Sequence, residues 1–133
     1  MRDARRVLIA DDEPQVRQTL AEFFSTMYAD CVIESVADGE AAVAAVRRAT
    51  PTLVMLDIEM PRMDGVTALK HIRTLASGVP VIMVTGNESS KVAGQVIGLG
   101  AHSYLPKPFR LQYLHHLVAT VLDRGPSTAA VRR

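Results

Sequence analysis

The sequence predicts a doubly wound α/β domain, a parallel sheet with helices on both faces, and three observations carry that prediction. Short apolar runs alternate with amphipathic stretches along nearly all of the 133 residues. The runs are mostly unbroken, as strands covered on both faces are, where a half-exposed strand would alternate. The stretches between them carry helix periodicity or helix caps, so the order is strand, helix, strand throughout.

The first run, "RVLIA" (6–10), leads into Glu13-Pro14, a good helix start because proline suits the first turn. Val16, Leu20, Phe23, Phe24 and Met27 then fall on one face of a helix over 14–27. After "CVIESV" (31–36), Asp38 is an N-cap for "GEAAVAAVRRA". After "TLVML" (52–56), Asp64 caps "GVTALKHIRTLA", in which Val66, Leu69 and Ile72 recur every three residues.

"PVIMV" (80–84) is the fourth run, and a helix is expected at about 88–99. Gly94 and Gly98 stand four apart within it, and an interior glycine costs roughly 0.5–1 kcal/mol relative to alanine. That pair reads either as a locally unstable helix suited to switching or as room for another backbone or a partner. The fifth run, "HSYL" (102–105), is the weakest. Beyond it Leu111, Leu114, Leu117, Val118, Val121 and Leu122 share a helix face over 109–122. Gly125 and Pro126 stop that helix, so 1–124 is expected as one domain and 125–133 as a flexible tail or the start of a linker.

The composition, 48% apolar and 22% charged, suits a soluble globular chain and is too apolar for disorder. A net charge of +1 gives no electrostatic ground for a nucleic-acid or membrane partner. Cys31, the single cysteine, has no internal disulfide partner, which favours a reducing compartment. No run approaches the roughly 18 apolar residues of a membrane span. The N-terminal "MRDARRVLIADDE" is too short in apolar residues for a signal peptide. A cytoplasmic location is expected.

In open parallel sheets ligands bind beyond the carboxyl ends of the strands. The residues that follow the runs there are Asp11, Asp12 and Glu13, then Asp57, then Thr85-Gly86, then Lys107-Pro108. The second run is followed only by Ala37 and Asp38. Carboxylates gathered within about 5 Å repel and raise one another's pKa unless a cation joins them. A hard divalent ion suits oxygen ligands, and with no Cys or His beside the acids Mg²⁺ fits better than zinc. Lys107 would neutralise a phosphoryl group and Thr85 would donate to it. The inventory is that of phosphoryl transfer, where positioning and charge neutralisation supply most of the catalysis.

The set "VLIADDE", "LVMLDIEMPRMDG", "VIMVTG" and "YLPKPF" resembles the receiver domain of two-component response regulators, the CheY-like family, from residue 6 to about 123. The resemblance implies a five-stranded parallel sheet in the order 2-1-3-4-5 with five helices. It implies that Asp57 accepts a phosphoryl group from a histidine kinase or a histidine phosphotransfer protein. Mg²⁺, with Mn²⁺ as a substitute, would be held by Asp12, Asp57 and the backbone carbonyl of Glu59, with Asp11 acting through water.

By the same resemblance, Lys107 would pair with the phosphoryl group through a chain bent by a cis bond to Pro108. Thr85 would swing toward the phosphoryl oxygen, Tyr104 would turn inward behind it, and Gly86 would offer its N–H. Glu59 and Asn87 would tune the lifetime of the phosphoryl group. The chain would then be a switch that catalyses only its own phosphorylation and dephosphorylation. Its output would go to a downstream protein, an attached output domain, or a phosphorylation-dependent homodimer.

The remaining candidates read as structural. Asp64 and Gly65 start a helix, and His71, His102, His115 and His116 are surface or packing residues, the last two pointing about 100° apart on a helix. Two other classes share some of the pattern. A phosphohydrolase of the haloacid-dehalogenase type needs an aspartate two residues after its nucleophile, where this chain has Glu59, and a cap insertion that is missing here. A flavodoxin-like nucleotide binder needs a Ser/Thr/Gly-rich loop where this chain has "DDEPQ".

Overall fold

The computed structural model describes residues 4–86 and 90–123. Its elements alternate as expected: β1 Arg5–Ala10, α1 Pro14–Met27, β2 Cys31–Val36, α2 Gly39–Arg48, β3 Leu53–Asp57, α3 Gly65–Leu75, β4 Val81–Thr85, α4 Ser90–Gly98, β5 Ser103–Pro106 and α5 Leu111–Leu122. The five strands are all parallel, in the order β2-β1-β3-β4-β5. Chain order reverses between β1 and β3, which opens a crevice at their carboxyl ends.

Strand alternation divides the core into two. Leu8, Ala10, Val54, Leu56, Val81 and Met83 face one side and pack with α2, α3 and α4 through Ala42, Val46, Leu69, Ile72 and Val96. Val7, Ile9, Leu53, Met55, Ile82, Val84 and Leu105 face the other and pack with α1 and α5 through Leu20, Phe24, Leu114, Leu117 and Val118. β3 and β4 are buried at every residue, which is why their sequences are apolar up to their last residues, Asp57 and Thr85. Truncating one of these side chains, Leu69 for example, would cost about 2–5 kcal/mol.

The expected caps form: Asp38 accepts from the Ala41 N–H and Asp64 from the Thr67 N–H, each at 2.8 Å. Four expectations need correction. Asp57 and Thr85 are the last residues of their strands and lie within the ladder, paired with Val84 and Pro106. α4 ends at Gly98, so this glycine closes the helix and only Gly94 is interior. The chain then turns at Gly100, whose φ of +101° only glycine adopts freely, with Ala101 N–H bonded to the Val96 carbonyl at 2.9 Å.

Met27 and Leu111, expected on buried helix faces, are 48% and 58% exposed. They stand at the last residue of α1 and the first of α5 and line a shallow groove with Phe23, Gln112 and His115. Finally, α5 begins at Leu111 where 109 was expected, because Phe109 packs against the core as part of the loop before it. Asn87 and residues 125–133 lie outside the described residues.

Candidate functional site

Asp11, Asp57, Thr85 and Lys107 each lie at the end of a strand or directly after it. Asp11 directly follows β1 and is 1% exposed; Asp57 ends β3 and is 3% exposed. Lys107 directly follows β5, and its backbone N–H bonds the Thr85 carbonyl at 2.8 Å, which fixes it beside the end of β4. The Lys107-Pro108 bond is cis, as expected. Gly65, at the start of α3, packs so closely on the end of β3 that a Cβ would overlap the Asp57 carbonyl oxygen, and its N–H bonds the Ile58 carbonyl at 2.6 Å. The loop from Ile58 to Asp64 is thereby folded tightly back over the strand that carries Asp57.

The Lys107 ammonium lies among three carboxylates: 2.6 Å from Glu13 Oε1, 2.9 Å from Asp11 Oδ2 and 3.5 Å from Asp57 Oδ2. Asp11 Oδ1 accepts from the Glu13 N–H at 2.9 Å, so the ion pair with Lys107 is the only partner of Oδ2 among the described residues. The Arg17 guanidinium donates to the Asp11 carbonyl at 2.7 Å and ties α1 to this corner. Asp57 Oδ1 accepts a long bond from the Glu59 N–H at 3.4 Å. Asp12 is exposed at the rim.

These contacts leave too much negative charge for one cation. Burial, and then the charge of Asp11, push the Asp57 carboxyl up to about 7, against the opposing effects of Lys107 and the Glu59 N–H. Burial also raises Asp11 despite its bonds to the Glu13 N–H and Lys107. For Lys107 burial favours the neutral amine, but the bonds to Glu13 and Asp11 outweigh it and the ammonium is held above its usual range.

One carboxylate oxygen from each of Asp11, Asp12 and Asp57 lies within 4.8 Å of the others. The donors are all hard oxygens, two of the three acids are buried, and their charge exceeds what Lys107 offsets. This set fits Mg²⁺ and does not fit zinc. Asp12, Glu13, Asp57, Glu59, Gly86 and Lys107 line an open cavity of about 300 Å³ above them.

The structure thus brings Asp11, Asp12, Asp57, Glu59, Gly86 and Lys107 together. Thr85 is wholly buried at the end of β4. Tyr104 is half-buried on the α4 side of the sheet and pairs across the ladder with Met83, two residues before Thr85, so the two lie diagonally on one face. The four histidines are exposed, and none belongs to the acid group that could hold a metal ion. Sequence reasoning missed the role of Glu13, whose side chain reaches Lys107 across 94 residues. The third acid of "DDE" was the only signal. It also missed Arg62, at φ +69°, whose guanidinium pairs with the Asp38 carboxylate at 3.3 Å and joins the loop after β3 to the start of α2.

A family model described as the response regulator receiver domain matches residues 7–119. The response regulator MprA of Mycobacterium sp. (strain KMS) is 33% identical over 133 residues, covering 95% of this chain and 56% of that protein. The chain therefore spans about half the length of this curated relative. A CheY-like response regulator receiver domain protein from Methanospirillum hungatei JF-1 superposes with a TM-score of 0.84 at 26% identity, over 91% of this chain and 95% of the other. CheY of Borrelia burgdorferi, solved in a CheX-CheY-BeF3-Mg²⁺ complex, gives 0.81 at 29% identity over 88% of each chain.

Proposed function

This chain belongs to the response regulator receiver domain family of two-component signalling, and from that membership we propose that Asp57 is its phosphoacceptor. The donor is a sensor histidine kinase or a histidine phosphotransfer protein. A carboxylate oxygen of Asp57 attacks the phosphorus of the donor's phosphohistidine. An O–P bond forms as the P–N bond breaks, and the bonding electrons leave with the imidazole. The observation that carries this reading is the buried Asp57 set 3.5 Å from the Lys107 ammonium at a carboxyl-end crevice with two further acids.

Asp12, Asp57 and the Glu59 carbonyl would hold Mg²⁺, and Asp11 would reach it through water, since its own oxygens already accept from the Glu13 N–H and pair with Lys107. The ion, when bound, neutralises the carboxylates and the transferring phosphoryl oxygens. Lys107 pairs with the phosphoryl group, Thr85 donates to it and Gly86 offers its N–H. Tyr104 follows Thr85 inward; their diagonal placement on one sheet face supports that coupling.

Hydrolysis ends the signal. Water attacks the phosphorus, the acyl-phosphate O–P bond breaks, and phosphate leaves Asp57 as a carboxylate; Glu59 and Asn87 set the rate. The altered face of α4, β5 and α5 passes the state to a downstream protein, an output domain or a second copy of the chain, with no direct contact to nucleic acid or membrane. So built, the domain is a switch that catalyses only its own modification.

Incubation with acetyl phosphate and Mg²⁺ tests the reading. Wild-type protein gains one acid-labile phosphate, and the Asp57→Asn variant gains none. Absence of labelling in the wild type, or equal labelling in the variant, overturns it.

A further inference from the structure

Glu13 makes the shortest of the three carboxylate contacts to Lys107, yet the phosphoacceptor reading gives it no part. It lies at the N-cap position of α1, with Pro14 next, but its side chain makes no capping bond there. Its carboxylate crosses instead to Lys107 Nζ at 2.6 Å, against 2.9 Å for Asp11 and 3.5 Å for Asp57. The acids also differ in burial. Asp11 and Asp57 are enclosed, whereas the Glu13 side chain is 59% exposed at the mouth of the cavity. An exposed acid is therefore competing with the buried phosphoacceptor for the one ammonium between them.

We propose, resting on the assignment of Asp57 as phosphoacceptor, that Glu13 is a positioning residue that holds Lys107 toward α1 in the unphosphorylated protein. An ammonium has three N–H donors, and here three carboxylates surround them. A phosphoryl group on Asp57 adds acceptor oxygens on the Asp57 side, so Lys107 must give up Glu13 to meet them. Glu13 thus opposes phosphorylation, both by restraining Lys107 and by placing a negative charge on the path of an anionic donor. Because this carboxylate stands in solvent, its hold is weak enough to break at each turnover.

Two substitutions separate position from charge. Glu13→Gln removes the charge. Glu13→Asp keeps the charge at the start of α1 but is one methylene short of Lys107. Both are expected to label from acetyl phosphate about three- to fivefold faster than wild type at subsaturating donor, the size of one exposed ion pair. The Glu13→Gln melting temperature should stay close to wild type, since the side chain caps nothing, and that of Glu13→Asp should be no lower, because aspartate is a good N-cap residue. If Glu13→Asp labels at the wild-type rate while Glu13→Gln is faster, the effect is one of charge alone and the positioning role is overturned. Unchanged or slower labelling in both variants also overturns it. Failure of wild type itself to label from acetyl phosphate is a different result, and it removes the phosphoacceptor assignment together with this one.

Discussion

At the amino end of the sheet Arg5 gathers distant pieces of chain, and at the carboxyl end Lys107 does the same, with opposite electrostatic outcomes. Arg5 donates to both Asp30 oxygens at 2.7 and 3.0 Å and to the Leu122 carbonyl at 2.7 Å, and its guanidinium lies 5.8 Å from the centroid of the Tyr28 ring. One cation meets one carboxylate there, and the Asp30 side chain is 57% exposed. The Arg5 bond accordingly lowers the Asp30 pKa, as an ordinary surface pair does. Lys107 faces three carboxylates, two of them buried, and both buried ones are raised. The same fold therefore satisfies its charges at one end and leaves them unsatisfied at the other. The unsatisfied end is the one where three carboxylates stand close enough to share a cation.

The largest test of this contrast removes Lys107. Lys107→Ala leaves Asp11 and Asp57 buried with no cation, and the expected loss is about 3 kcal/mol at pH 8, the scale of a buried pair stripped of one partner. The Lys107 pKa is raised, so its contribution is complete at any pH below the usual lysine value and does not fade between 5 and 8. The carboxylates do titrate in that range. Near pH 5 Asp57 has taken up a proton, less charge is left unpaired, and the loss should shrink. Urea denaturation of the metal-free variant and wild type at both pH values measures it; an equal loss at pH 5 and pH 8 would show that the lysine acts by packing.

Asp57 gives the next effect, and its sign runs the other way. Its carboxyl is raised to about 7. Stability from this group is therefore fully present below about pH 4 and is lost as pH rises through 7, because burial penalises the ionised form. Asp57→Asn removes the penalty. The metal-free variant should exceed wild type by on the order of 2–3 kcal/mol at pH 8 and match it only below about pH 4, with part of the gap still present at pH 5. Millimolar Mg²⁺ should narrow the gap at pH 8 by binding only the wild type tightly. A gap independent of pH would mean that the Asp57 carboxylate is already neutralised by Lys107.

These tests rest on features that were unequally visible in the chain. The strands were legible because β3 and β4 are buried at all of their residues, and the strand-end rule then collected Asp11, Asp57, Thr85 and Lys107 from four separate segments. Helix faces were legible only in part. Periodicity places Met27 and Leu111 on an apolar stripe but cannot show that the stripe is left uncovered at these helix ends. Sequence spacing also could not reveal that Glu13 prefers Lys107 to its own helix, since that choice depends on two segments 94 residues apart. Nor could it show that Gly65 is pressed against the Asp57 carbonyl, for a glycine after a cap residue reads equally well as a plain helix start.

The smallest effect belongs to the amino end and sharpens the contrast by its flatness. Tyr28 is 7% exposed, and its hydroxyl donates to Asp123 Oδ1 at 3.0 Å, which joins the end of α1 to the end of α5. Tyr28→Phe keeps the ring under Arg5 and removes one hydrogen bond, a change worth about 0.5–1.5 kcal/mol. Burial and then the bond to Asp123 raise the tyrosine to about 12. Its contribution is thus complete below pH 10 and is lost only above that, so the difference from wild type should be constant from pH 5 to 9. Labelling of Asp57 from acetyl phosphate should be unchanged, since among the described residues the Lys107 ammonium pairs only with Asp11, Glu13 and Asp57. A Tyr28→Phe variant whose deficit varied across that pH range, or whose labelling rate fell, would show that the two ends of the sheet are coupled and that the amino end is more than a clamp.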